Sequence, residues 1–207
     1  CLKPILCTKF RVFSELNLYS LNRQKLLEKL PDNSVAIIAS GSEQIRNRDV
    51  EYEFRAHSDF IYLTGFEEPD SVLFLVKKAA PQSVLFLREK NPEKEIWDGR
   101  RLGVEKACET LDVDQGFAID DLDAEALALM ENCDHVYISF SELETWFSPI
   151  NDWIAQLKQQ VRKGIQAPGN IVDLDKVLHE MRLFKSCLLY TSQSPRDNGR
   201  SRMPSSA

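Results

Sequence analysis

The 207-residue sequence contains no apolar run approaching the ~20 residues that span a bilayer, which excludes a helical membrane protein. It lacks an excess of basic charge: Lys and Arg number 26 against 32 Asp and Glu, and the net charge of −6 argues against nucleic acid as the main partner. Its five cysteines (Cys1, Cys7, Cys108, Cys133, Cys187) are odd in number and show no Cys-x-x-Cys spacing. Neither a disulfide framework nor a zinc site is indicated, and a reducing cytoplasm is the default expectation. Three histidines are too few and too scattered for a metal centre; His179-Glu180 would need a histidine at 183 to make a zincin helix, and Leu183 stands there. No internal repeat is present. The first methionine is Met130, so the sequence reads as a fragment or processed product, and residues 1–19 lack the apolar core and cleavage site of a signal peptide.

What is present is ordinary globular material, 43% hydrophobic and 28% charged. Leucines at 21, 26, 27 and 30 sit at helical spacing, and Pro31-Asp32-Asn33 stops that helix. Ser34 to Ala39 is a short continuous apolar run, the mark of a strand buried on both faces. Val72 to Val76 and Val84 to Leu87 read as two more, joined as a hairpin. Between them, aromatic and branched residues from Asp59 to Thr64 predict a strand ending at Gly65. Downstream, helices are expected over Arg100–Leu111, Ala124–Glu131 and Pro149–Lys163, with strands over Gly116–Ile119 and His135–Phe140. Asp173 then caps a helix carrying Leu174, Val177, Leu178, Met181 and Phe184. This alternation predicts an α/β domain: one mixed β-sheet flanked by helices on both faces. Residues 187–207, rich in Ser, Pro and Arg and without period, are expected to be disordered.

The stretch Arg46-x-x-Asp49-x-x-Tyr52-x-x-Arg55-x-x-Ser58-Asp59-Phe60-x-Tyr62-Leu63-Thr64-Gly65-Phe66 resembles the signature of the N-terminal domain of aminopeptidase P, the Xaa-Pro aminopeptidase. Glu95-Ile-Trp-Asp-Gly-Arg-Arg-Leu-Gly103 and His179-Glu-Met-Arg-Leu-Phe-Lys-Ser186 agree in order and spacing. The resemblance divides the chain into a leader (1–20), the N-terminal domain (21–172) and the start of a helix leading to a catalytic domain (173–186). The tail 187–207 is similar to a translated sequencing adapter, apart from Gln193, and is set aside as an artefact.

The resemblance implies a full-length enzyme that removes the N-terminal residue from peptides with proline second. Two Mn(II) ions, held by two Asp, one His and two Glu in the absent domain, would supply the chemistry; this chain is expected to hold no metal and no catalytic residue. It also implies a homo-oligomer in which Trp97 walls a neighbouring subunit's substrate pocket and Asp49 joins an arginine network beside it. An indole suits a proline ring, and a loop carboxylate can orient guanidinium groups. The partners so implied are the protein's own catalytic domain, neighbouring subunits and proline-containing peptides. Two alternatives stay open: a non-enzymatic interaction module of the same fold, and the N-terminal domain of a prolidase.

Overall fold

The computed structural model describes residues 18–48, 50–91, 93, 95 and 99–184. Six strands form one sheet in the order β6-β5-β4-β1-β7-β8. They are β1 (Ser34–Ala39), β4 (Val72–Lys77), β5 (Gln82–Leu87), β6 (Gln115–Ala118), β7 (His135–Ile138) and β8 (Asn170–Asp173). β4 runs against both its neighbours, with Ser34 opposite Lys77 and Val72 opposite Phe86; the other pairings are parallel. Five strands therefore end on the same edge of the sheet.

Strand alternation sends Ala36, Ile38, Leu73, Leu75, Leu85 and Leu87 to one face, and Val35, Ile37, Phe74, Val76, Val84 and Phe86 to the other. The first face is covered by α1 (residues 18–29), α2 (Ser58–Thr64), α3 (Val104–Leu111) and α6 (Asp175–Leu183). The second is covered by α4 (Leu122–Met130) and α5 (Leu143–Gln159). The expected α/β architecture, a mixed sheet between two helical layers, is the one observed. A two-stranded ribbon, β2 (Ile45–Asn47) with β3 (Val50–Glu51), lies outside the main sheet.

Several local expectations are corrected. Asp59–Thr64 lies in helix α2, not in a strand. Its composition favours β, but the residues it buries are Phe60, Leu63 and Thr64, at spacings of three and four. Gly65, at φ 66°, closes the helix in the left-handed region and donates its N–H to Ile61 O. The helix expected from Arg100 begins only at Val104. Before it, Arg101 is held in the loop by its N–H on Glu95 Oε1 and its guanidinium on Glu89 O. The helix expected from Pro149 starts at Leu143 and contains Pro149. Trp146 and Leu143 extend the apolar stripe of Ile150, Trp153, Ile154 and Leu157, and packing outweighs the backbone hydrogen bond that proline forfeits. Asp173 ends β8 and accepts from the N–H groups of Asp175 and Phe140, tying the strand to the start of α6. The apolar face expected on this helix is divided: Leu178 and Met181 are buried in the domain's own core, whereas Leu183 and Phe184 are 70% and 84% exposed.

Candidate functional site

The ribbon leaves the sheet just past the carboxyl end of β1, and main-chain bonds fix its foot. Ser40 N–H donates to Ser71 O at 2.8 Å, His57 N–H to Ser40 O at 2.9 Å, and Asp70 N–H to Gly41 O at 2.9 Å. Gly41 adopts φ 91°, and a Cβ there would lie 2.9 Å from His57 Nε2, so the imidazole rests against bare backbone. On its other side His57 pairs through Nδ1 with Glu142 Oε1, at the start of α5. Burial, above all, raises the Glu142 carboxyl from its usual range, and His57 pulls in the opposite direction. This clasp joins residues 85 positions apart, which no local motif announces.

Beyond its foot the ribbon is solvated, with Ile45 70% and Tyr52 57% exposed. Asn47 pairs with Val50. The Arg46 guanidinium lies 5.7 Å from the Tyr52 ring centroid, and Arg55 donates to Ser58 Oγ at 3.1 Å. Arg46 and Arg55 thus tie the segment locally. Arg48 bends the chain at φ 46°. Asp49 and Trp97, the two candidate pocket residues, lie outside the described residues.

A second constellation sits where α1, α2 and α6 meet. Arg182 donates to Asp59 Oδ1 at 2.6 Å, and Asn22 donates to Tyr62 O at 3.0 Å. Arg23, only 3% exposed, donates to the carbonyls of Leu63, Leu111 and Asp112 at the ends of α2 and α3. Burial lowers its pKa, with Asp112 and Asp114 acting the other way. A groove of about 530 Å³ beside it is lined by Leu18, Tyr19, Ile61, Tyr62 and Leu183.

Among the described residues, one group brings three potential ligand atoms within 4.8 Å: those of Asp59, Asp175 and His179. It does not fit the pair of metals that the family implies, which needs five donors, and Asp59 is already engaged by Arg182. His57 is occupied by its clasp, and His135 packs 6.4 Å from the Tyr137 ring. No helix among the described residues is long and apolar enough to cross a membrane.

Comparison with known proteins places this arrangement. Residues 19–137, more than half of the chain, match the family model "Aminopeptidase P, N-terminal domain". The chain belongs to that family. It is 38% identical over 170 residues to the Xaa-Pro aminopeptidase of Escherichia coli, covering 81% of this chain and 38% of that protein. It superposes on aminopeptidase PepP of Pseudomonas aeruginosa with a TM-score of 0.79 at 39% identity, covering 83% of this chain and 39% of that one. On proline aminopeptidase P II from Yersinia pestis the TM-score is 0.80 at 38% identity, covering 85% and 41%. The chain therefore spans about two fifths of the length of these relatives. Both Asp49 and Trp97 fall within the matched segment of this aminopeptidase P N-terminal domain.

Proposed function

We propose that this aminopeptidase P N-terminal domain serves a manganese-dependent Xaa-Pro aminopeptidase as a non-catalytic part, pairing with a metal-bearing domain and shaping a neighbouring subunit's substrate pocket. The observation that carries this reading is the ribbon. A two-stranded element whose first strand is exposed along its length, yet fixed at its foot by main-chain bonds and the His57–Glu142 clasp, is built to reach something outside its own core. Asp49 belongs to this segment by sequence, and the proposal gives it the orientation of arginines at the pocket. Trp97 is proposed as the apolar wall that a proline ring meets.

The chemistry of bond cleavage would come from two Mn(II) ions in the other domain, activating water for attack on the bond before proline. This domain's part is to exclude water and position the peptide. Leu183 and Phe184, exposed at the end of α6, fit a helix whose far end packs on that neighbour. Cysteine usage favours a cytoplasmic setting. The test is to dialyse the 207-residue chain against manganese, measure bound metal, and sediment it. The proposal expects no stoichiometric manganese and concentration-dependent association through the exposed face. A tightly held ion in each chain, or a strictly monomeric species across the concentration range, overturns it.

A further inference from the structure

A cavity of about 430 Å³ opens beside the foot of the ribbon. It lies past the carboxyl end of β1, between the turn after β6 and the first turn of α5. Open α/β sheets place their ligand crevices at this edge, and the volume falls within the ~300–1,000 Å³ of small-molecule sites.

Its lining has a definite chemistry. Two carboxylates, Asp70 and Glu142, border it together with the His57 imidazole, and among the described residues no Lys or Arg does. The Asp70 carboxylate has no partner among the described residues; only its main-chain N–H is used, on Gly41 O. Glu142 gives one oxygen to His57, and its second oxygen has no hydrogen-bond partner among the described residues. The apolar part of the lining is made by Trp146 with Val72, Ile119 and Leu122. The Trp146 ring is held 6.3 Å from that of Trp153, which is itself anchored by its indole N–H on Asp123 Oδ1 at 2.9 Å. Packing against an anchored neighbour limits the freedom the Trp146 ring has to lose on binding.

We propose that this cavity binds a small primary amine carried on an apolar or aromatic body. The ammonium group would sit between the Asp70 and Glu142 carboxylates, where charge-assisted hydrogen bonds are strongest, with the indole face of Trp146 adding a cation–π contact. The body would cover Val72, Ile119 and Leu122. An anion of the same shape meets two carboxylates, and the His57 imidazole, the one basic group of the described lining, is already engaged by Glu142.

The experiment titrates the 207-residue chain with 2-phenylethylamine, 2-phenylethanol and 3-phenylpropionate, following amide and indole shifts by NMR. The amine should shift the Trp146 indole and the amides of residues 70–72 and 142–146 saturably. It should bind at least about tenfold tighter than the alcohol and weaken as salt rises. Asp70→Asn, which the left-handed backbone there tolerates, and Glu142→Gln should each weaken the amine about tenfold or more and leave the alcohol unchanged. Equal affinity for amine and alcohol, shifts mapping to the groove between α1, α2 and α6, or no saturable shift up to about 10 mM amine would each overturn the proposal.

Discussion

Arg23→Met should be among the most damaging single substitutions in the domain. The wild-type guanidinium is buried and donates at 2.8 Å to Leu63 O and 3.1 Å to Leu111 O, with a third bond to Asp112 O. These carbonyls close α2 and α3, so one cation answers two helix C-termini. Each charged hydrogen bond contributes roughly 1.5–3 kcal/mol, and methionine strands all three acceptors. Burying the guanidinium costs several kcal/mol that methionine does not incur, which offsets part of the loss. The expected net destabilisation is about 3 kcal/mol, against a typical domain stability of ~5–15 kcal/mol. Urea unfolding measures it as a lower midpoint at unchanged slope. Arg23→Lys, with one compact charge in place of a fork, should fall between, and exposed Lys25→Met should change nothing. A midpoint for Arg23→Met equivalent to less than ~0.5 kcal/mol below wild type would refute the reasoning.

Gly41→Ala should cost about 1–3 kcal/mol from its positive φ and from the approach of the new Cβ to the His57 ring. Thermal unfolding of the Gly41→Ala/His57→Ala pair should recover the steric share as non-additivity. Glu142 has a folded-state pKa raised above its ordinary value of 4.5, chiefly by burial, so the stability linked to its protonation is full below 4.5 and is lost as pH rises through the folded value. The stability difference between wild type and Glu142→Gln should accordingly shift against wild type as pH rises above the ordinary value of 4.5; a flat difference contradicts this. Leu178→Ala should cost about 2–5 kcal/mol, because Leu178 is packed in the core, whereas Phe184→Ser should leave the unfolding midpoint within scatter. Equal effects would show that α6 is not divided as described.

The buried strands were legible because β1, β4 and β5 carry continuous apolar runs bounded by turn residues, a local signal that the sheet obeys. Helix α2 was misread because aromatic and branched residues favour strands in isolation; its readable signature was the spacing of Phe60, Leu63 and Thr64 before Gly65. β2 is short and exposed and β8 is short and half exposed, so neither shows the alternation that marks a half-buried strand. Arg23 sits among the polar residues of an amphipathic helix and looks like one of its solvated neighbours. Only the carbonyls brought in from residues 63, 111 and 112 explain its burial. The same holds for Glu142, whose partner lies 85 residues away. Asp49 and Trp97 came from family resemblance and not from any pattern of period or charge.

The decisive measurement is turnover of a proline-second peptide by the 207-residue chain and by a longer protein in which this domain is joined to a metal-bearing domain. The account predicts no turnover above blank for the 207-residue chain, manganese-dependent release of the N-terminal residue by the longer protein, and a raised KM in the longer protein carrying Trp97→Ala. Cleavage by the 207-residue chain alone, or a Trp97→Ala protein with unchanged KM and kcat, would contradict it.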